Sequence, residues 1–133
     1  MNLEYAYGDE LFDMGLVNDD PWSLANKVGI TILSDKDLFI SVVDLDENRV
    51  IAALFNAYQN DEYSFDVVVD PNYQGQGIGT ELIDIAMQDF RAMPEDAILK
   101  LDVVNKGLIP FLEKVYSLRV MDKDGSHYIM MED

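Results

Sequence analysis

The sequence predicts a mixed α/β fold, an α+β arrangement in one domain spanning residues 1–133. Its sheet is expected to be mixed, mostly antiparallel and of about six to seven strands, flanked by about four helices. Three observations carry this reading. Leu38 to Leu45, Val50 to Tyr58 and Glu62 to Val69 are apolar or alternating runs joined by short polar turns, which is the pattern of a meander. The third run passes through a glycine-rich turn into an amphipathic stretch, and a further strand-like run follows, so a crossover should set two strands parallel. A chain of 133 residues that is 49% hydrophobic can also fill a core of its own.

Taken in order, Asn2 to Tyr7 reads as a first strand. Gly8 to Leu16 reads as a short helix with Leu11, Phe12 and Leu16 inward. Asn18-Asp19-Asp20-Pro21 signals a second helix, with an acidic cap and proline at the first helical position. Trp22, Leu24, Ala25 and Val28 then face the core or a cleft, and residue habits favour the core for Trp22. Asp44, Asp46 and Asn48 imitate the start of a calcium loop, but Arg49 stands in the glycine place and Phe55 in the glutamate place, so a hairpin turn is expected. Ile78 to Met93 is a helix with Ile78, Leu82, Ile85, Ala86 and Phe90 on one face, ended by Pro94. Ala97 to Val104 is the next strand. Leu108 to Tyr116 is a helix with Pro110 in its first turn and Leu108, Phe111, Leu112 and Val115 inward. Leu118 to Met121 and His127 to Met131 close the chain as a hairpin.

The functional signal lies between Val67 and Met87, VVVDPNYQGQGIGTELIDIAM. A strand, three glycines in five residues and a helix start together make an anion site. The first helical N–H groups have no partner in the helix and carry the positive end of its dipole. Glycines let that backbone approach a phosphate. Thr80 stands where a dinucleotide loop needs its third glycine, and no lysine occurs between Lys36 and Lys100 for a Walker A loop. Gln74, Gly77 and Gly79 fit Q-x-x-G-x-G instead, with V-x-P just upstream. This resembles the acyl-CoA loop of the GNAT superfamily of acetyl-CoA-dependent N-acetyltransferases. The element order β-α-α-β-β-β-α-β-α-β-β is also that of the GNAT fold, and the resemblance covers roughly Leu38 to Tyr128.

The resemblance implies the following roles. Backbone amides of Gln74, Gly75, Gln76, Gly77, Ile78, Gly79 and Thr80 bind the CoA pyrophosphate. Val67 and Val69 pair their backbone with the pantetheine arm, and an N–H in that stretch polarises the acetyl carbonyl. Asn105 matches the family's N-x-x-A asparagine and is placed to touch pantetheine, although Leu108 replaces the alanine. The family's helical tyrosine, which protonates the leaving thiolate, falls on Leu112. Tyr116, one turn later on the same face, is the candidate substitute, with a core aromatic as the alternative. Among carboxylates able to accept the amine proton, Asp66 is first and Glu62 second; the alternative for both is a solvated or ion-paired side chain. His127, the single histidine, reads as a surface residue beyond a turn.

Charge and composition bound the partners. The 26 acidic and 9 basic residues give a net charge of -17, which argues against nucleic acid and suits a cationic amine, or serves solubility alone. Residues 1–71 carry 15 acids and 3 bases, and residues 72–133 carry 11 and 6. The part with the loop is thus less hostile to a polyanion. With no cysteine, disulfides and thiolate chemistry are excluded. No signal peptide and no membrane span are read, so a cytoplasmic protein is expected. The expected function is acetyl transfer from acetyl-CoA to a primary amine, by direct transfer in a ternary complex and without a metal; a homodimer is compatible with it. The alternative is a GNAT-fold protein that has lost catalysis and binds CoA or a protein partner in a regulatory role, motivated by Leu112.

Overall fold

The computed structural model describes residues 2–8, 10–14, 20–30, 32, 36–102, 108–124 and 127–132. The elements are β1 (Leu3–Tyr7), α1 (Glu10–Asp13), α2 (Pro21–Lys27), β2 (Asp37–Asp44), β3 (Arg49–Gln59), β4 (Glu62–Val69), a single 3-10 turn (Pro71–Tyr73), α3 (Ile78–Arg91), β5 (Ile98–Asp102), α4 (Leu108–Tyr116), β6 (Leu118–Asp124) and β7 (His127–Glu132). This is the order read from the sequence, and the fold is the mixed α/β class expected. Two compact units are distinguished: Met1–Ala57 with Phe65–Asp89, and Tyr58–Ser64 with Phe90–Asp133.

In the first unit the strands follow the order β1-β2-β3-β4. β1 pairs antiparallel with β2, Tyr5 opposite Val42, and β2 pairs antiparallel with β3, Ser41 opposite Ala53. One face of these strands packs on α1 and α2. There Leu11, Leu24, Ala25, Val43, Val50, Ala53, Phe55 and Val68 form a buried cluster. α2 starts as its sequence requires: the Asp20 carboxylate accepts the Ser23 N–H at 2.8 Å, and Pro21 takes the first helical position. Trp22 departs from the core place that residue habits favour. It is 44% exposed, with one edge against the Phe55 ring at 5.7 Å. Leu24 and Ala25 already occupy the buried face of this two-turn helix, so Trp22 falls toward solvent. α3 buries Ile78, Leu82, Ala86 and Met87 in this unit; Ile85 is only half-buried, and Met87 takes the place expected for it.

The second unit begins with the last residues of β3 and the β3–β4 turn. Asn60 and Asp61 both have positive φ, 54° and 62°, the mark of a two-residue type I′ turn. From there the order is β4-β5-β7-β6. β4 and β5 run parallel, with Glu62 opposite Ile98 and Tyr63 opposite Leu99, as a crossover requires. β7 pairs antiparallel with both β5 and β6. β6 continues to Asp124, past the Met121 end expected, because Asp122, Lys123 and Asp124 all have partners on β7. α4 buries Ile109, Leu112 and Tyr116 and leaves Val115 54% exposed. The expected inward set was Leu108, Phe111, Leu112 and Val115. Apolar residues stand nearly all round this helix, LIPFLEKVY, so periodicity alone does not choose its face.

Candidate functional site

The turn leaving β4 is built on Asp70, which is 1% exposed. One carboxylate oxygen accepts the Asn72 N–H at 2.9 Å, and the Asp70 carbonyl accepts the Tyr73 N–H at 2.8 Å. The other oxygen accepts from Arg49 Nη2 at 2.6 Å and lies 3.5 Å from Lys27 Nζ. Two cations thus offset the burial of this charge. Tyr73 closes the turn from the far side. Its hydroxyl donates to Asp44 Oδ2 at 2.6 Å, while Asp44 Oδ1 accepts the N–H groups of Asp46 and Glu47. The Tyr73 hydroxyl, and then those two N–H groups, hold the Asp44 carboxyl below its ordinary value of 3.8 against the opposing effect of burial. Reciprocally, the bond to Asp44, with burial, pushes Tyr73 up to about 12.

The anchored turn delivers the chain into the glycine loop. Gly75 and Gly77 have φ of 82° and 83°, and a Cβ on either would meet nothing within 4 Å. Backbone conformation, not packing, calls for glycine at these two positions. Gly79 is different: its φ is not positive, and a Cβ there would stand 3.5 Å from Val69 Cγ2, an ordinary contact. Glu81 N–H donates to the Gly77 carbonyl at 3.0 Å, which starts the helical ladder of α3. The N–H groups of Ile78, Gly79 and Thr80 precede that bond and have no acceptor within the helix. Val69, Tyr73 and six of the seven residues from Gln74 to Thr80 line a cavity of about 190 Å³ beside them. That holds a diphosphate-sized group, not a whole drug-sized ligand at about 300–1,000 Å³. Between Pro71 and Thr80 there is no lysine or arginine, so an anion there rests on amides and the helix dipole. Glu81, in the first turn, has its carboxylate engaged by the Tyr5 hydroxyl at 2.7 Å. Burial, then Glu81, raises Tyr5 well above the ordinary phenol value.

The register of β4 follows from its turn. A two-residue hairpin loop sets Gln59 opposite Glu62 as a hydrogen-bonded pair, and such pairs recur at every second residue. The Asp70 N–H bonded to the Ile51 carbonyl at 2.8 Å belongs to the same series, so the register holds to the end of the strand. Phe55 is therefore opposite Asp66, and Ala53 opposite Val68. The N–H groups of Val67 and Val69 point away from β3. Alternation puts Asp66 and Val68 on the α2 face.

The candidate acid–base residues sit as follows. Asp66 is nearly buried and forms an ion pair with Lys36 at 3.2 Å, the two side chains 6% and 8% exposed. Glu62 opens β4 and lies 3.7 Å from Lys100 Nζ, with 39% of its side chain exposed. Tyr116 is buried in the second unit, between the Arg91 guanidinium at 5.3 Å and the Phe111 ring at 6.2 Å. Leu112, in the usual tyrosine place, is fully buried. Asn105 and the side chain of His127 lie outside the described residues. Among the described residues no group of three or more His, Asp or Glu could hold a metal ion, and no helix is long and apolar enough to cross a membrane. Lys36, Asp44, Tyr73 and Asp70 were not singled out from the sequence as site residues. Asp70 has a local signal, the Asp-Pro turn; the partners of the other three are remote in the chain.

The acetyltransferase (GNAT) family sequence model matches residues 5–116. The chain belongs to the GNAT family of acetyltransferases. Among solved structures, this GNAT chain is similar to an acyl-CoA N-acyltransferase from Pseudomonas aeruginosa, at 14% identity and a TM-score of 0.65, over 99% of this chain and 100% of that one. It is similar to an acetyltransferase from Trypanosoma brucei at 20% identity and a TM-score of 0.59, over 92% and 96% of the two chains. A third is the PaiA N-acetyltransferase from Thermoplasma acidophilum in complex with coenzyme A, at 14% identity and a TM-score of 0.55, over 100% and 99%. At these identities the likeness is one of fold. Among curated proteins none matches the sequence.

Proposed function

We propose that this GNAT protein transfers an acetyl group from acetyl-CoA to a primary amine, directly in a ternary complex, acting as one domain over residues 1–133. The observation that carries the reading is the loop from Gln74 to Thr80. Its positive-φ glycines line one cavity at the carboxyl end of β4 together with Ile78, Gly79 and Thr80, whose N–H groups have no acceptor within the helix. Those residues fit a diphosphate. Bound acetyl-CoA would supply an activated acyl thioester. The protein's part is then to hold and orient. The Val67 and Val69 N–H groups, turned away from β3, are suited to an extended pantetheine arm and to the acyl carbonyl. Asp66, next in the chain to Val67, is the proposed acceptor of the amine proton, with Glu62 as second choice and Tyr116 as the proposed acid. Asn105 is the proposed further contact to pantetheine. The net charge of -17 favours a cationic acceptor, and the cytoplasm is the proposed location.

Initial-rate kinetics over a panel of primary amines test this reading. Intersecting double-reciprocal lines for acetyl-CoA and amine are expected, and parallel lines would contradict direct transfer. A second reading has its own observation: Lys36 already occupies the Asp66 carboxylate, and Leu112 fills the tyrosine place. A GNAT protein that binds CoA or a partner without turnover would show saturable CoA binding and no acetylated product with any amine.

A further inference from the structure

We propose that Lys36 is itself an acetyl acceptor, modified in cis from acetyl-CoA bound at the glycine loop. The inference rests on the CoA reading of that loop. Its own observation is the buried pair of Lys36 and Asp66. The two charged groups stand 3.2 Å apart with side chains only 8% and 6% exposed. A buried ion pair seldom repays its desolvation as structure alone, and an apolar pair of similar volume serves a core as well. This pair lies on the strand that runs into the loop. Asp66 is three residues before Val69, which lines the cavity, and is the neighbour of Val67. Opposite Asp66 on β3 is Phe55, and Trp22 lies edge-on to that ring at 5.7 Å. An amine and a carboxylate are thus held together, both nearly buried, beside the strand that runs into the loop.

The Lys36 ammonium passes one proton to Asp66 across their contact. The neutral Nζ then attacks the thioester carbonyl carbon, a C–N bond forms, and the C–S bond breaks. Of the three ammonium protons, one stays on the amide nitrogen. A second ends on the sulfur of CoA, and the third leaves through Asp66 to solvent. The product is an acetyl-lysine without charge, so the charge of Lys36 beside Asp66 is lost.

Intact-mass spectrometry with peptide mapping tests the proposal on the full chain incubated with acetyl-CoA, with calorimetry of acetyl-CoA binding on the same sample. The expected result is a gain of one acetyl group at Lys36, at a rate independent of protein concentration. Exposed lysines such as Lys27, whose side chain is 55% exposed, should lag far behind. Lys36→Arg keeps a cation for Asp66 and should abolish the gain. Asp66→Asn should slow it strongly if the variant folds. Without acetyl-CoA, reductive methylation should label Lys27 well before Lys36. Binding without acetylation of Lys36 would overturn the proposal and leave the CoA reading standing. Acetylation of Lys36→Arg as fast as that of the parent, a rate that rises with protein concentration, or methylation of Lys36 as fast as Lys27 would each overturn it as well. Absence of any acetyl-CoA binding would overturn both.

Discussion

At the scale of single residues, the loop is held by a hydrogen bond whose two ends titrate in opposite directions. Asp44 is depressed by the Tyr73 hydroxyl, so its contribution to stability is fully present above its ordinary value of 3.8 and is lost as pH falls through the lower folded value. Tyr73 is raised to about 12, so its contribution is present below the ordinary 10.0 and is lost as pH rises through about 12. Both ends report one interaction. A phenolate absorbance titration should lose one high-pH equivalent, near pH 12, in Tyr73→Phe, while Tyr5 keeps its own; an unchanged number of high-pH equivalents would dismiss the assignment. The glycines divide in the same way. Gly77→Ala forces a side chain into a φ of 83° and should cost about 1–2 kcal/mol in denaturant unfolding. Gly79→Ala meets only an ordinary contact with Val69, so its stability should change by less than about 1 kcal/mol, toward a gain.

At the scale of elements, the decisive unit is the passage from β4 through the loop into α3. If the N-terminus of α3 receives an anion, adding a carboxylate beside it should help the helix and harm the ligand. Gln76 is exposed and has no positive φ, which makes Gln76→Glu the suitable change. Thermal unfolding should be unchanged or slightly raised, and acetyl-CoA binding should weaken roughly tenfold, about 1.4 kcal/mol. Equal affinity in variant and parent would place the ligand elsewhere. This passage was also the most legible part of the sequence, because its signals are local: Asp70-Pro71, the spaced glycines and the amphipathic run that follows. The polar turn between β3 and β4 and the cap at Asp20-Pro21 were legible for the same reason. What escaped the sequence depended on remote partners. Nothing near Lys36 announces Asp66, and nothing near Tyr73 announces Asp44. Trp22 was misjudged because a helix of seven residues offers too short a stripe to tell core from rim. The face of α4 was misjudged because its apolar residues surround it.

At the scale of the whole molecule, a charge of -17 acts on the two proposed substrates with opposite sign. Long-range attraction concentrates a cationic amine and repels a polyanionic cofactor, and both effects fade once the Debye length falls to about 8 Å at physiological salt. KM for a cationic amine should therefore rise as salt is added from low ionic strength, and KM for acetyl-CoA should not. Initial rates across a salt series check this, and a parallel rise of both constants would argue that the surface charge serves solubility alone. Acetyl transfer by this chain requires that the loop from Gln74 to Thr80 hold the diphosphate of CoA. Calorimetric titration of the full chain with acetyl-CoA, free CoA and NADH addresses that most directly. Saturable binding of both CoA forms is expected, with none for NADH. Failure of either CoA form to bind would contradict it and reduce the glycine loop to a turn between β4 and α3.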